Sequence, residues 1–189
     1  MKLFTVPLLL SGFVFVGTIS STFAAEEAPS ARETPAWFSS AHWKPASAKG
    51  VETTVEPVRI DERRALRIRY HFKETGGYYA AGYLHAGITS PAAELRFSVR
   101  TDTPGKVLVR LFDSDGEVIQ YAFPVNTAGE WTDLRIELAR GTTSFPNKKG
   151  AILNKKPDFP INGIAFGIEV SRGTMATGSL LLSDVEIVR

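Results

Sequence analysis

The chain has 189 residues, a formal net charge of +2 and no cysteine. Because its charge is nearly balanced, there is no electrostatic reason to expect nucleic acid or an anionic membrane as a partner. Without disulfides the fold has to be stabilised by apolar burial, with or without a metal ion, and this length suits one domain.

The N-terminus has the pattern of an export signal. Lys2 precedes an apolar run from Leu3 to Ile19, and small residues flank Phe23 at the positions that a signal peptidase recognises. We predict a signal peptide over residues 1–24, cleaved after Ala24; an uncleaved membrane anchor is the alternative. Later segments lack the ~20 apolar residues of a membrane span. The expected location is therefore periplasmic or secreted, in a bacterium, with no membrane insertion after cleavage.

The segment that follows has nothing to bury. Residues 25–35 are rich in Ala, Glu, Pro and Ser, so we predict a flexible leader there. We expect a single folded domain over residues 36–189.

Short alternating runs fill the rest of the chain. Because successive side chains of a strand point to opposite faces, each run predicts a strand with one face in a core. The runs are Ala65–Phe72, Glu94–Arg100, Lys106–Phe112, Trp131–Leu138, Ile164–Val170 and Ser179–Val188.

Turn residues support an antiparallel arrangement. Asp113-Ser114-Asp115-Gly116 lies between two apolar runs and predicts a hairpin, which explains both carboxylates better than a calcium-binding loop does. Long apolar stripes with helical spacing are missing from the sequence. The fold class is therefore all-β, an antiparallel β-sandwich with minor helix. The segment Arg140–Pro160 interrupts the rhythm; it is either a functional loop or a solvated excursion.

Four segments together resemble a known family: Leu-Arg-Phe-Ser-Val at 95–99, Val-Leu-Val-Arg-Leu-Phe-Asp-Ser-Asp-Gly at 107–116, Gly-Glu-Trp-Thr-Asp-Leu-Arg-Ile-Glu-Leu at 129–138, and Gly-Ser-Leu-Leu-Leu-Ser-Asp-Val-Glu-Ile at 178–187. This pattern is similar to the galactose-binding-like jelly rolls, which include carbohydrate-binding modules. The resemblance covers Trp37 to Arg189. It implies a jelly-roll fold and a glycan or polysaccharide ligand on the concave sheet or the loop rim.

The same resemblance implies a structural calcium ion between an early acidic residue and an acidic residue of the last strand. Asp184 matches the last-strand acid. Its partner would be Glu52 or Glu56.

The candidate ligand residues are polar and aromatic groups on the faces turned away from the core. Guanidinium and amide groups can hydrogen-bond sugar hydroxyls, and aromatic rings can cover the C–H face of a sugar. An ordinary solvated sheet surface is the alternative for each of them. The candidates are Arg110, Gln120, Arg96, Glu169, Tyr79, Tyr83 and Tyr121.

The sequence supports catalysis only weakly. Glycosidases need two carboxyl groups across a cleft, and no pair of acids can be assigned from these strands. We therefore expect a non-catalytic glycan-binding domain. A structural or protein-interaction sandwich with a cell-envelope protein partner is the first alternative, and a small polysaccharide-acting enzyme is the second.

Overall fold

The computed structural model describes residues 32–33, 43–73, 77–85 and 88–189. Across these ranges the chain forms strands and no helix, so the all-β prediction is confirmed. The strands are β1 (Arg32–Glu33), β2 (Lys44–Pro45), β3 (Glu52–Ile60), β4 (Arg63–Phe72), β5 (Tyr79–Leu84), β6 (Glu94–Thr101), β7 (Gly105–Asp113), β8 (Glu117–Val125), β9 (Thr132–Glu137), β10 (Thr143–Pro146), β11 (Ile161–Glu169) and β12 (Ala176–Val188).

The strands form two antiparallel sheets of six strands each. The first sheet has the order β3-β4-β12-β6-β9, with β1 paired to β12. The second sheet has the order β10-β8-β7-β11-β5-β2. The two sheets enclose a shared apolar core, so the predicted β-sandwich of jelly-roll type is confirmed.

Alternation along each strand places the core where the sequence predicts it. Leu66 and Ile68 of β4 point inward from the first sheet, and Val109 of β7 points inward from the second. Phe97 and Phe166 meet edge to face across the interior, with ring centroids 5.2 Å apart. This packing leaves the opposite side chains of each strand on an outer surface.

Two hairpins have the backbone that their turn residues require. Asp61 and Glu62 join β3 to β4 with φ values of 50° and 65°, the left-handed pair of a tight two-residue turn. The predicted hairpin between β7 and β8 is confirmed, and its Gly116 has a φ of 83°.

The ends of the predicted organisation are only partly described. The predicted signal peptide lies outside the described residues, and so does most of the predicted leader. Within that leader Arg32–Glu33 pairs with the end of β12, which the composition does not anticipate. The described ranges contain no helix long and apolar enough to cross a bilayer.

The segment Arg140–Pro160 is attached to the second sheet. Its residues Thr143–Pro146 form the edge strand β10 against β8. Further along, the backbone N–H groups of Asn154 and Lys155 donate to the Glu117 carboxylate at 3.1 and 2.8 Å. The segment is therefore part of the sandwich and not a detached loop.

Candidate functional site

The outer surface of the second sheet brings together two of the predicted ligand residues. Arg110 of β7 and Gln120 of β8 are register partners, so their side chains lie on the same face. The Arg110 Nε donates to the Gln120 Oε1 at 2.8 Å. This bond fixes the plane of the guanidinium group.

Tyr79 and Tyr83 of β5 lie on the same face and lean across the neighbouring strand β11. A Cβ atom added at Gly163 would lie 2.6 Å from the Tyr83 hydroxyl oxygen. One added at Gly167 would lie 2.8 Å from Tyr79 Cε2. The two glycines thus leave the room in which the tyrosine rings lie close to the sheet.

Arg110 stacks on one of these rings. Its guanidinium carbon lies 3.7 Å from the centroid of the Tyr79 ring. Burial raises the pKa of Tyr79 to about 12, and the Arg110 charge only partly opposes that rise. Tyr79 is therefore a neutral phenol, and the stacked cation and ring hold each other in place.

Two phenylalanines complete the surface, and neither is among the predicted ligand residues. Phe112 of β7 packs edge to face against Tyr83, with centroids 5.1 Å apart. The Phe145 ring of β10 lies 5.2 Å from the Arg110 guanidinium carbon. Phe112 is two residues from Arg110 on one strand, so alternation could have identified it. Phe145 belongs to a segment that has no clear strand pattern.

We call this surface the Arg110 face: Tyr83, Arg110, Phe112, Gln120 and Phe145, together with the buried Tyr79 ring on which Arg110 stacks. Between these larger groups the floor consists of small or fully covered side chains, including Ala81, Leu108 and Ala165. An aromatic surface with one fixed cation and one amide can both cover a sugar ring and hydrogen-bond its hydroxyls.

Glu169 lies at one end of the same face. It is the register partner of Tyr79 on one side and of Lys106 on the other. Its carboxylate accepts from the Lys106 ammonium group at 2.9 Å. Both residues also line a groove of about 610 Å³ that continues past Val170 to Ala176. Glu169 is thus next to the candidate site, with its charge already neutralised.

Arg96 does not share the surface of Arg110, which corrects the predicted set. It lies on β6 in the first sheet, and its Nε and Nη2 both donate to Glu94 Oε2, at 2.9 and 2.8 Å. Alternation predicted correctly that the Arg96 side chain points away from the core. A period of two does not say which of the two sheets a strand joins.

Tyr121 was wrongly predicted to lie on the ligand surface. Its side chain is 4% exposed and packs in the central core. The hydroxyl is buried without a hydrogen-bond partner, and burial raises its pKa above the usual range. The physical reason is simple: Gln120 and Tyr121 are neighbours on β8, so they point to opposite faces.

The predicted calcium ligands are each paired with a basic side chain. Asp184 lies at a register irregularity in β12 and accepts from Arg63 at 2.9 Å. Glu52 is paired with Lys73, and Glu56 lies 3.0 Å from Arg69. Each carboxylate has a cation as partner, so an ion at the last-strand position would have to displace Arg63 from Asp184.

A different trio of acids does converge. The carboxylate oxygens that Asp113, Glu117 and Asp158 offer lie within 4.8 Å of one another. Oxygen ligands of this kind suit hard divalent cations.

Comparisons with known proteins agree with this architecture. No family model and no curated relative matches the chain. Among solved structures, the family 11 carbohydrate-binding module from Clostridium thermocellum in complex with a β-1,3-1,4-mixed-linked tetrasaccharide is similar with a TM-score of 0.61 and 14% identity. The match covers 85% of this chain and 97% of that one.

Two further structures show the same likeness. The family 11 module of the cellulosomal cellulase Lic26A-Cel5E of Clostridium thermocellum has a TM-score of 0.59 and 14% identity over 85% of this chain and 96% of that one. An exo-β-agarase matches with a TM-score of 0.50 and 10% identity over 79% of this chain and 24% of that one. The chain therefore has a jelly-roll fold of the kind found in carbohydrate-binding modules.

Proposed function

We propose that the chain is an exported, non-catalytic module that binds a glycan on the Arg110 face. One observation carries the proposal: the two outer surfaces of the sandwich differ in chemistry. The outer surface of the second sheet presents aromatic rings around Arg110, whereas that of the first sheet presents paired charges.

The distribution of ion pairs shows how the outer surfaces of the two sheets differ. Among the described residues, the ion pair between Lys106 and Glu169 is the only one that lies on the second sheet. The others lie on strands of the first sheet or next to them, as between Arg63 and Asp184. Exposed ion pairs of this kind contribute little to stability. The first sheet therefore has the properties of an ordinary solvated face.

Arg110 differs from those surface arginines. Within the described ranges no carboxylate lies within ion-pair distance of it; its Nε donates to Gln120, and its guanidinium group stacks on the Tyr79 ring. A guanidinium group carries five N–H donors in a fixed plane. Some of these donors are left for the hydroxyl or carboxyl oxygens of a ligand.

The rings supply the second half of sugar recognition. Tyr83 and Phe112 form an aromatic corner beside Arg110, and Phe145 flanks its other side. A pyranose laid on this surface would place its C–H groups on the rings and its hydroxyls toward Arg110 and Gln120. The likeness to two family 11 carbohydrate-binding modules supports this choice of ligand class.

An envelope protein partner is the second candidate. It is favoured by the charge-mixed surface of the first sheet, where a depression of about 600 Å³ is lined by Arg63, Arg96, Asp133, Arg135 and Asp184, among others. Charge complementarity across such a surface would select a partner.

Binding to a broad array of glycans and polysaccharides, including β-1,3-1,4-glucan and agarose, tests the proposal. We expect retention by a structurally related set of glycans. A folded protein that binds none of them would contradict the proposal and move the search to protein partners captured by the first sheet.

A further inference from the structure

Three acidic side chains meet where the β7–β8 hairpin touches the segment that leads into β11. Asp113 ends β7, Glu117 begins β8, and Asp158 lies shortly before β11. Their carboxylate oxygens come within 4.8 Å of one another. Asp113 is 5% exposed and Glu117 is fully buried, so two of the three are removed from solvent.

This cluster has no counter-charge in the described part of the chain. None of its three carboxylates forms an ion pair there. The Lys148 ammonium group, which lies over the same turn, donates to the Ser114 carbonyl at 3.0 Å. Buried negative charges that lack a cation are strongly unfavourable in a protein interior.

The buried Oδ2 atom of Asp113 is also without a hydrogen-bond partner. Its other oxygen, Oδ1, accepts from the Glu117 backbone N–H at 2.8 Å. Natural proteins rarely leave a buried carboxylate oxygen without a hydrogen-bond donor or a cation, so we expect Oδ2 to bind a partner from outside the chain. A buried carboxylate that has an unpaired oxygen and lies beside two further carboxylates has the surroundings of a metal ligand.

The remaining contacts position the carboxylates without neutralising them. Both oxygens of Glu117 accept backbone N–H groups, from Asn154 and Lys155. The Asn154 side-chain amide donates to Asp158 Oδ2 at 3.2 Å. Burial tends to raise the pKa of Glu117, but these amides and Ser144 outweigh it and hold the pKa below its usual value, so Glu117 is ionised.

We propose that Asp113, Glu117 and Asp158 bind one divalent cation, and that the cation is Ca²⁺. The three are oxygen donors only, and Ca²⁺ accepts six to eight oxygens in irregular arrangements, which water can complete. The ion would cross-link the β7–β8 hairpin to the segment that carries β10.

The alternative is a shared proton. Burial raises the pKa of Asp113, and a protonated Asp113 could donate to a neighbouring carboxylate. The two explanations differ in their response to metal, and the turn offers a matched control. Asp115 has the same side chain in the same hairpin but is exposed and outside the cluster.

The test is thermal unfolding of the protein after treatment with chelator, with CaCl₂ or MgCl₂ added back, alongside calorimetric titration of Ca²⁺. At a Ca²⁺ concentration about a hundred times Kd, the Tm of the wild-type protein should rise by roughly 5–10 °C. Asp113→Asn should lose this rise and the calorimetric signal, whereas Asp115→Asn should keep both.

Two results would overturn the assignment. A wild-type protein that is folded but neither binds Ca²⁺ nor changes its Tm would favour the shared proton. If Asp184→Asn loses the Ca²⁺ response while Asp113→Asn keeps it, the ion is held at the last strand instead. Neither result depends on glycan binding, so failure here leaves the proposed function untouched.

Discussion

Adding one methyl group at Gly163 should weaken glycan binding on the Arg110 face without unfolding the protein. In Gly163→Ala the new Cβ would lie 2.6 Å from the Tyr83 hydroxyl oxygen, 2.8 Å from Cε2 and 3.0 Å from Cζ. Optimal carbon contacts lie near ~3.5–4.0 Å, so the ring has to move by about 1 Å. All three atoms belong to a side chain that can swing outward.

The expected cost to stability is small. Displacing Tyr83 weakens its contact with Phe112, an interaction worth roughly 0.5–1.5 kcal/mol. Replacing glycine by alanine in a strand raises the free energy of unfolding by roughly 0.5–1 kcal/mol, because alanine loses less backbone entropy on folding. The two effects nearly cancel, so the Tm should change by less than about 4 °C.

The expected loss of glycan binding is larger. A displaced ring no longer lies along the sheet, and loss of a central contact in a binding surface typically costs at least ~1 kcal/mol, about a fivefold rise in Kd. Calorimetric titration with the best glycan from the array measures it. Unchanged affinity, with a folded variant, would refute the role of Tyr83.

Gly167→Ala is the matched contrast on the same strand. Its Cβ would meet the backbone carbonyl of Ala80 and lie 2.8 Å from the Cβ of Ala81. Backbone atoms cannot swing aside, so we expect the overpacking cost of about 1–3 kcal/mol and a Tm lowered by roughly 2–12 °C. If both variants lose stability equally, the argument from flexible and rigid neighbours is wrong.

Three further outcomes follow from individual side chains. Tyr121→Phe removes a buried hydroxyl that has no partner, so the free energy of unfolding should stay equal or rise by about 1 kcal/mol in denaturant titration, with glycan affinity unchanged. Arg110→Lys keeps the charge but loses the planar donors and the stacking on Tyr79; affinity should fall about tenfold or more, and a wild-type Kd would show that charge alone is recognised. The lowered pKa of Glu117 adds stability that is present above its unfolded value of 4.5 and is lost as the pH falls through the folded pKa. With chelator present, so that no metal occupies the acidic cluster, Glu117→Gln should therefore show a shallower decline of Tm below pH 4.5 than the wild-type protein, and parallel declines would contradict that assignment.

The sequence predicts the core well because alternation is a local property. Leu66 and Ile68 on β4, and Val109 on β7, point inward as their period of two requires. The same rule, applied strictly, would have excluded Tyr121, since Gln120 had already been placed on the outer face.

Sheet membership is not local, which is why Arg96 was grouped with Arg110. The strands β6 and β7 follow one another in sequence but belong to different sheets. Nothing in their alternation distinguishes the two surfaces. The pairing of β7 with β11, which brings Ala165 beside Arg110, joins segments far apart in the chain.

The acidic cluster shows the same limit. The turn sequence predicts a hairpin at Asp113, and the hairpin is confirmed. The position of Asp158 beside Asp113 depends on the path of the segment after β10, and that segment has no alternating pattern from which its path could be predicted. Only the folded chain shows that Glu117 is buried beside both.

Comparing two arginine variants tests the central claim most directly. Arg110→Ala removes the cation of the Arg110 face, and Arg96→Ala removes a half-buried, hydrogen-bonded arginine from the other sheet. With the Kd of each measured by calorimetry against the best glycan of the array, Arg110→Ala should weaken binding by about thirtyfold or more, a loss of at least ~2 kcal/mol, while Arg96→Ala keeps the wild-type Kd. Equal affinities for both, or a loss confined to Arg96→Ala, would contradict the assignment of the glycan to this face.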